Sequence, residues 1–366
     1  MALIAGELSY IFDFANGKSI KPNGTGDFKA FGANGVIGRS EDFNHENGII
    51  IGRVGAYCGA VARCKEKFWA SDNTIVAYPK EEGFSKTYAY YFLKNLDLNK
   101  YAGGSAQPLL TQTTLKKLAV KYHDNKSEMD TIGGLLQTYD NLIENNNRRI
   151  AILEEMAQSL YREWFINFRY PDHEDNLDAD GNPKLVDSPL GQIPEGWEVK
   201  RLDDYVTLQR GFDLPKKKRN EQGCIPIYAA SGINGYHDEV KAKGPGIVTG
   251  RSGTLGIVNL VLEDHWPLNT SLWVKEFKGC TAFYAYYLLD SIGLERFNSG
   301  ASVPTLNRND VHGNPVIAPP KELIKQFEEI ICINHKQINV LKRKNENLKK
   351  QRDMLLPKII SGQIEL

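Results

Sequence analysis

Gly48-Ile-Ile-Ile-Gly-Arg-Val-Gly55 and Gly246-Ile-Val-Thr-Gly-Arg-Ser-Gly253 are one pattern written twice. In each, a short apolar run ends in a glycine, an arginine, one further residue and a second glycine. The agreement extends outward on both sides. Phe31-Gly-Ala-Asn-Gly-Val-Ile-Gly38 matches Tyr228-Ala-Ala-Ser-Gly-Ile-Asn-Gly235, and Trp69 matches Trp266. Tyr88-Ala-Tyr-Tyr-Phe-Leu93 matches Tyr284-Ala-Tyr-Tyr-Leu-Leu289, and Gly104-Ser-Ala-Gln-Pro-Leu-Leu110 matches Gly300-Ala-Ser-Val-Pro-Thr-Leu306. The separation stays near 196 residues through all five blocks, which chance similarity does not sustain. The chain is two copies of one module.

Within each copy, β-branched and aromatic runs (49–54, 74–78, 246–249, 257–262) are bounded by Gly, Asn and Asp and read as strands. Segments 86–95 and 281–292 read as helices between them, so each module is α+β, a twisted sheet carrying helices and Gly-rich loops. Each copy then ends in a long heptad pattern. The first seam is Met129, Ile132, Leu136, Tyr139, Ile143, Asn146, Ile150, Leu153, Ala157, Leu160 and Trp164. The second is Phe327, Ile331, Asn334, Ile338, Leu341, Asn345, Leu348, Arg352, Leu355 and Ile359. Alternating three- and four-residue steps over four to five heptads describe a coiled coil, and the chain supplies both strands of it. The alternative is two amphipathic helices packed on their own domains; about 34 residues, roughly 50 Å, is longer than that requires. Asn146, Asn334 and Asn345 on the seam are residues of the kind that set register.

The 366 residues carry 45 basic and 45 acidic side chains, 41% hydrophobic residues and 25% charged ones, an ordinary globular composition with room for two or three domains. No apolar run is long enough to cross a membrane, and no export signal is evident. The five cysteines (Cys58, Cys64, Cys224, Cys280, Cys332) are scattered and include no Cys-x-x-Cys, which points to a reducing, cytoplasmic setting without disulfides or structural zinc. Zero net charge counts at first against nucleic acid. It is an average, however. The stretch 172–187 holds six carboxylates against one lysine, while basic residues gather at Lys216–Arg219 and along Lys342–Arg352.

Catalytic signatures are missing: no Walker loop, no His-Glu-x-x-His and no Gly-x-Ser-x-Gly. Asn314-Pro-Val-Ile317 lacks the second proline and the aromatic of an amino-methyltransferase motif. The seven histidines are not spaced as metal ligands and read as surface or cap residues. The Gly-rich loops carry more. Arg53 and Arg251, each just past a strand, offer a planar five-donor fork where glycines allow close approach. Lys18, Ser19 and Lys21 correspond to the loop that runs into Lys216, Lys217, Lys218 and Arg219. Gln107, Thr111 and Gln112 correspond to the segment bearing Asn307 and Arg308, and Asn34 to Ser231. These residue types hold phosphates and read base edges. The two copies agree in scaffold residues and differ in these polar ones, as two modules reading different sequences would.

Ser188-Pro-Leu-Gly-Gln-Ile-Pro-Glu-Gly-Trp-Glu-Val-Lys-Arg-Leu202 resembles the opening of a target recognition domain in the specificity subunit of type I restriction–modification systems. Residues 147–165, Phe168-Arg-Tyr-Pro-Asp-His-Glu174 and Leu355-Leu-Pro-Lys-Ile-Ile-Ser-Gly-Gln-Ile364 are similar to the helical regions of that family and their flanks. The likeness covers the whole chain in the order domain, helix, domain, helix. It implies a non-catalytic, pseudo-twofold subunit with no cofactor of its own. Two target recognition domains read a bipartite, asymmetric site in double-stranded DNA, and two antiparallel helices join them. It also implies two methyltransferase subunits carrying S-adenosylmethionine, and through them restriction subunits using ATP and magnesium. One departure stands out: Leu8 aligns with Leu202, so nothing corresponds to Ile193–Trp197. Either the start is short, or the first domain opens differently.

The expected boundaries are recognition domain one at 1–125, a spacer helix at 126–168, a linker at 169–189, recognition domain two at 190–320, and a second helix with its tail at 321–366. Leu135, Leu142, Phe165 and Ile330 lie off the seam and are expected to need partner subunits to cover them. The residues alone leave a rival open, a coiled-coil scaffold whose modules bind protein or glycan. A phosphoester-handling enzyme lacks any base, nucleophile or metal ligand. If the helices set the spacing of the half-sites, a heptad added to both should lengthen the preferred DNA spacer by about three base pairs, since seven residues rise about 10 Å and a base pair about 3.4 Å. Site selection with such a variant checks this, and an unchanged spacer would refute it.

Overall fold

The computed structural model describes residues 3–80, 84–104, 107–177 and 184–366. Ser105, Ala106 and the 178–183 part of the expected linker lie outside the described residues. The chain divides into two compact units, residues 1–148 with 341–366, and residues 149–340. Each holds one copy of the repeat and part of each long helix.

The first unit begins with β1 (Leu3–Glu7), the single turn α1 (Leu8–Ile11) and β2 (Phe12–Asn16). β3 (Phe28–Gly32), β4 (Gly35–Ser40), β5 (His45–Gly52), β6 (Val61–Ala70) and β7 (Thr74–Pro79) follow. They form one sheet in the order β2-β7-β5-β6-β3-β4, with β3 and β6 parallel and the other neighbours antiparallel. The isoleucine run explains why β5 is central. Ile49 and Ile51 join a core with α2 (Lys86–Asn95), while Ile50 faces the other way, among Phe31, Phe68 and Val76. That is the two-residue alternation of a strand covered on both sides. Ser85 caps α2 by accepting from the Tyr88 amide (3.4 Å), and α3 (Gln112–Lys116) and β8 (Ala119–His123) lead out of the domain, β8 pairing with β1.

In the second unit the hairpin β9 (Leu185–Ser188) and β10 (Gly191–Pro194) precedes β11 (Glu198–Arg201) and β12 (Val206–Arg210). β13 (Ile225–Ala229), β14 (Gly232–His237), β15 (Gly246–Gly250), β16 (Val258–Val261), β17 (Trp266–Pro267) and β18 (Ser271–Phe277) complete the sheets. α5 (Ala282–Ile292), α6 (Arg308–His312) and β19 (Pro315–Ala318) then repeat the exit, with β19 paired to β11. The topology matches the first unit strand for strand, with one break. The ten-residue β6 corresponds to residues 258–267, where Leu262–His265 interrupt the ladder between β16 and β17. The sheet therefore splits into β12-β18-β15-β16 and β14-β13-β17. The β9–β10 hairpin and Trp197 have no counterpart among the described residues of the first copy; Trp197 packs on Phe165, Phe168 and Tyr170.

α4 (Lys126–Tyr161) and α7 (Lys321–Ile360) run antiparallel. In the first unit Met129, Ile132 and Leu136 share a core with Leu356, Ile359 and Ile360, and further along α4 Asn146 bonds Asn345. In the second, Ala157 and Tyr161 share a core with Phe327 and Ile331. On the seam, Ile132, Leu136, Ile143, Ile150, Ile331, Ile338, Leu341 and Asn345 are buried. Tyr139, Asn146, Leu153, Leu160, Asn334, Leu348, Arg352 and Leu355 are half-buried.

Two expectations are corrected. Phe165 is not a bare helix residue: α4 ends in a π-helical turn (Arg162–Ile166) whose extra residue turns Trp164 and Phe165 into the core. Leu135 is partly covered by the first core, which leaves Leu142 and Ile330 exposed. Nor are all the histidines on the surface. His123 and His265 have no exposure; His123 Nδ1 lies 3.5 Å from Glu128, and the His265 Nδ1 pairs with the Glu263 carbonyl at 3.0 Å. Phe327 has no exposure and packs against Tyr161, Trp164, Phe165, Tyr284 and Tyr287. Phe327→Ala should cost about 3–5 kcal/mol, read as a lower urea midpoint for the second unit.

Candidate nucleic-acid interface

Both copies build the same loop cluster from the same backbone hydrogen bonds. In the first, the turn between β6 and β7 closes with Thr74 N–H to Ser71 O (3.0 Å) and Thr74 Oγ1 to the same carbonyl (2.7 Å). In the second, Ser271 N–H and Oγ both donate to Leu268 O (2.9 and 2.7 Å). The loop after β2 lies along this turn. Gly17 N–H donates to Thr74 O (3.2 Å) and Lys18 N–H to Ala70 O (2.9 Å); Gly211 donates to Ser271 O (3.1 Å) and Phe212 to Pro267 O (2.8 Å). A Cβ on Gly17 would lie 1.9 Å from Ser71 O, and one on Gly211 2.2 Å from Leu268 O, so only glycine fits.

The arginines are clamped alike. Arg53 N–H donates to Asn73 O (3.0 Å) and its carbonyl accepts from Leu110 N–H (2.9 Å); Arg251 donates to Thr270 O (2.9 Å) and accepts from Leu306 N–H (2.9 Å). Gly55 and Gly253 complete the pairing by donating to Pro108 O (3.1 Å) and Pro304 O (2.9 Å). Each arginine is thus fastened beside the segment before the short helix. The β3–β4 turn closes in from the other side, because a Cβ on Gly52 would lie 2.5 Å from Ala33 O. In the second copy a Cβ on Gly250 would meet Ala230 at 3.3 Å. Five loops per copy therefore meet at one end of the sheet.

Most of the residues singled out from the sequence fall on these loops, with different freedom. Lys18, Ser19, Lys21, Asn34, Gln107, Lys216, Lys217, Lys218, Ser231 and Arg308 are exposed. Arg53 and Arg251 are half-buried, and the Arg53 Nε is enclosed without a hydrogen-bond partner. Others are engaged. Thr111 caps α3 by accepting from Thr114 N–H (3.1 Å), and Asn307 caps α6 by accepting from Asn309 N–H (3.1 Å). Arg219 Nη1 donates to the carbonyl and side-chain oxygen of Asn234, both at 2.8 Å, tying its loop to the β13–β14 hairpin.

The sequence pattern did not expose the residues that hold the loops. Trp69 Nε1 donates to Lys18 O (2.9 Å) and Trp266 Nε1 to Phe212 O (3.4 Å), so the repeated tryptophans fix the loop after β2. Their recurrence at matching positions of the two copies is the sequence signal for this role. His312 Nε2 accepts from the Leu208 amide (2.8 Å) and ties α6 to β12; Gln112 does the matching work in the first copy, its amide reaching Phe14 O (3.1 Å). Tyr57, exposed beside the Arg53 loop, is a further candidate contact without a sequence signal. Among the described residues no group of His, Cys, Asp or Glu could hold a metal ion, and no helix is long and apolar enough to cross a membrane.

A family model for the type I restriction modification DNA specificity domain matches residues 6–155 and 194–353, that is, both copies. The chain belongs to this family. Among specificity-subunit relatives, it is 28% identical over 357 aligned residues to the type I restriction enzyme MjaIX specificity subunit of Methanocaldococcus jannaschii, covering 87% of this chain and 78% of that protein. It is 32% identical over 116 residues to the type I restriction enzyme EcoprrI specificity subunit of Escherichia coli, covering 31% of this chain and 28% of that one. The type I restriction–modification S subunit from M. genitalium has a similar fold, with a TM-score of 0.66 at 19% identity over 98% of this chain and 96% of that one.

The histidines of this specificity chain make its stability depend on pH. Burial holds His45, His265 and His312 below the ordinary value of 6.5. At these three sites the folded chain binds fewer protons than the unfolded one, so the stability they contribute is lost as pH drops below about 6.5. His312→Gln keeps an acceptor for the Leu208 amide and removes one titrating group. The loss in urea midpoint between about pH 7.5 and 5.5 should be smaller in this variant than in the parent.

Proposed function

We propose that this chain is the DNA-specificity subunit of a type I restriction–modification complex, with each domain reading one half of a bipartite, asymmetric site in double-stranded DNA. What supports the reading most is the duplicated loop cluster, in which a backbone-clamped arginine stands between a hairpin turn and a capped helix in both copies of a family member. Phosphate contacts would come from Lys18, Ser19, Lys21 and Lys216–Lys218. Base edges would be read by Arg53, Asn34 and Gln107 in one half, and by Arg251, Ser231 and Arg308 in the other. Thr111, Gln112, Arg219 and Asn307 would serve by holding these loops in place. The chain would act in the cytoplasm without a cofactor. Two methyltransferase subunits would bring S-adenosylmethionine, and restriction subunits ATP and magnesium.

Selecting bound sites from a random DNA pool, with methyltransferase subunits present, tests this directly. Arg251→Ala should cost about 1–3 kcal/mol and relax preference in one half-site, leaving the other half unchanged; Arg53→Ala should do the converse. Loss of preference in both halves from either change would overturn the assignment. Affinity should also fall steeply between low and moderate salt as phosphate contacts are screened, whereas a flat response would favour a scaffold that binds protein or glycan.

A further inference from the structure

The hairpin that closes in on each arginine carries an exposed aliphatic side chain at the same place in both copies. The β3–β4 turn is Ala33-Asn34, between the paired Gly32 and Gly35; the β13–β14 turn is Ala230-Ser231, between the paired Ala229 and Gly232. The residue after each turn glycine is Val36 or Ile233. Val36 is 57% exposed and Ile233 53%, although their cross-strand partners Phe31 and Tyr228 are buried. By contrast, exposed Leu109 aligns with Thr305 and exposed Val303 with Gln107, so those apolar groups are not shared.

The backbone holds Val36 and Ile233 out. In each hairpin the second strand carries one residue more than the first. Ala30 pairs with Gly38 and Phe31 with Val36; Pro226 pairs with Tyr236 and Tyr228 with Ile233. A β-bulge of this kind bends its strand and re-aims a side chain. Glycines of positive φ flank it in both copies: Gly35 (101°) and Gly38 (150°), Gly232 (111°) and Gly235 (111°). Other residues adopt such a backbone only at a cost. The next residue along is engaged locally. Ile37 folds over Gly32, where a Cβ would lie 2.8 Å from Ile37 Cγ2, and Asn234 is held by Arg219 (2.8 Å). Val36 and Ile233 remain in water, where a β-branched aliphatic forgoes the stabilisation that burial would bring.

We propose that Val36 and Ile233 each meet the 5-methyl group of a thymine in the major groove, one in each half-site. The inference rests on the DNA reading proposed above for the loop clusters. The surroundings decide the occupant. Asn34 and Ser231 stand exposed on the same turns, and Arg53 and Arg251 follow the glycines against which those turns pack. Lys18, Lys21 and Lys216–Lys218 are exposed on the loops after β2 and β12. An apolar protein surface would have to bury such groups without partners. A duplex offers them phosphates and base edges, and the thymine methyl is the apolar group on those edges. Valine and isoleucine are stiff at χ1, so little side-chain freedom is lost on contact.

The test uses the full chain with its methyltransferase subunits and the site selected from the random DNA pool. Each thymine of that site is replaced singly by uracil, which removes the methyl group and keeps the pairing edge and the phosphates. One replacement in each half-site should weaken binding about fourfold, the contribution of one apolar carbon taken from water. Val36→Ser should abolish the thymine–uracil difference in one half-site and leave it in the other, and Ile233→Ser should do the converse. The ratio is internal to each protein, so a variant that folds less completely still reports it. The proposal is overturned if a tightly bound site lacks thymine in either half, if it is indifferent to every uracil, or if the difference survives both serine variants. A pool that yields no preferred site would overturn the DNA reading beneath it, and the methyl contact with it.

Discussion

Neither domain closes its core alone: each depends on apolar residues delivered by both long helices. In the first unit, Tyr88, Tyr91 and Phe92 of α2 are sealed by Met129, Ile132 and Leu136 from α4 together with Leu356, Ile359 and Ile360 from the far end of α7. In the second, Tyr284, Tyr287 and Leu288 of α5 are sealed by Tyr161, Trp164 and Phe165 from α4 and by Leu323, Phe327 and Ile331 from α7. The helices are therefore structural walls of the domains as well as a connection. Gly133 shows how tightly they are set, since a Cβ there would lie 2.7 Å from the Tyr88 amide nitrogen.

This dependence accounts for the division of labour in the rest of the molecule. With the faces of each sheet committed to cores, the loops gathered at one end of the sheet are free of packing duty except where they hold one another. Backbone bonds do most of that holding, through the Ser71–Thr74 and Leu268–Ser271 turns and the Arg53 and Arg251 clamps. Side chains on these loops can thus vary between the copies while the frame that carries them stays the same. The chain has no net charge, yet Lys18, Lys21 and Lys216–Lys218 stand exposed on such loops, so a neutral average is compatible with local basic patches.

Much of the architecture was legible in the sequence because it rests on periodicity. The repeat, the heptads and the Ile49–Ile51 strand follow from spacing alone. What was not legible depends on contacts between distant residues. Nothing local distinguishes Thr111 and Asn307 as helix caps from Gln107 and Arg308 as exposed groups, since polar side chains suit both roles. Arg219 looks like one more member of a basic run until Asn234 is brought beside it. Phe165 lies off the heptad seam and is buried within a π-helical turn at the end of α4. His265 is enclosed where the strand breaks, and a single histidine carries no signal of that.

That strand break makes the two domains mechanically unequal. β6 carries its ladder unbroken along one sheet, whereas Leu262–His265 leave β16 and β17 in separate sheets, linked by packing and by bonds such as Ser271 Oγ to Tyr228 O (3.3 Å). Local opening free energies follow the continuity of such ladders. Amide protons of Leu262–Asp264 should then exchange more readily than those at the matching positions of β6, while His265 stays bonded to the Ala242 carbonyl (2.9 Å). Against a bent or overwound duplex, the loop cluster proposed for the second domain would then rest on the more yielding frame.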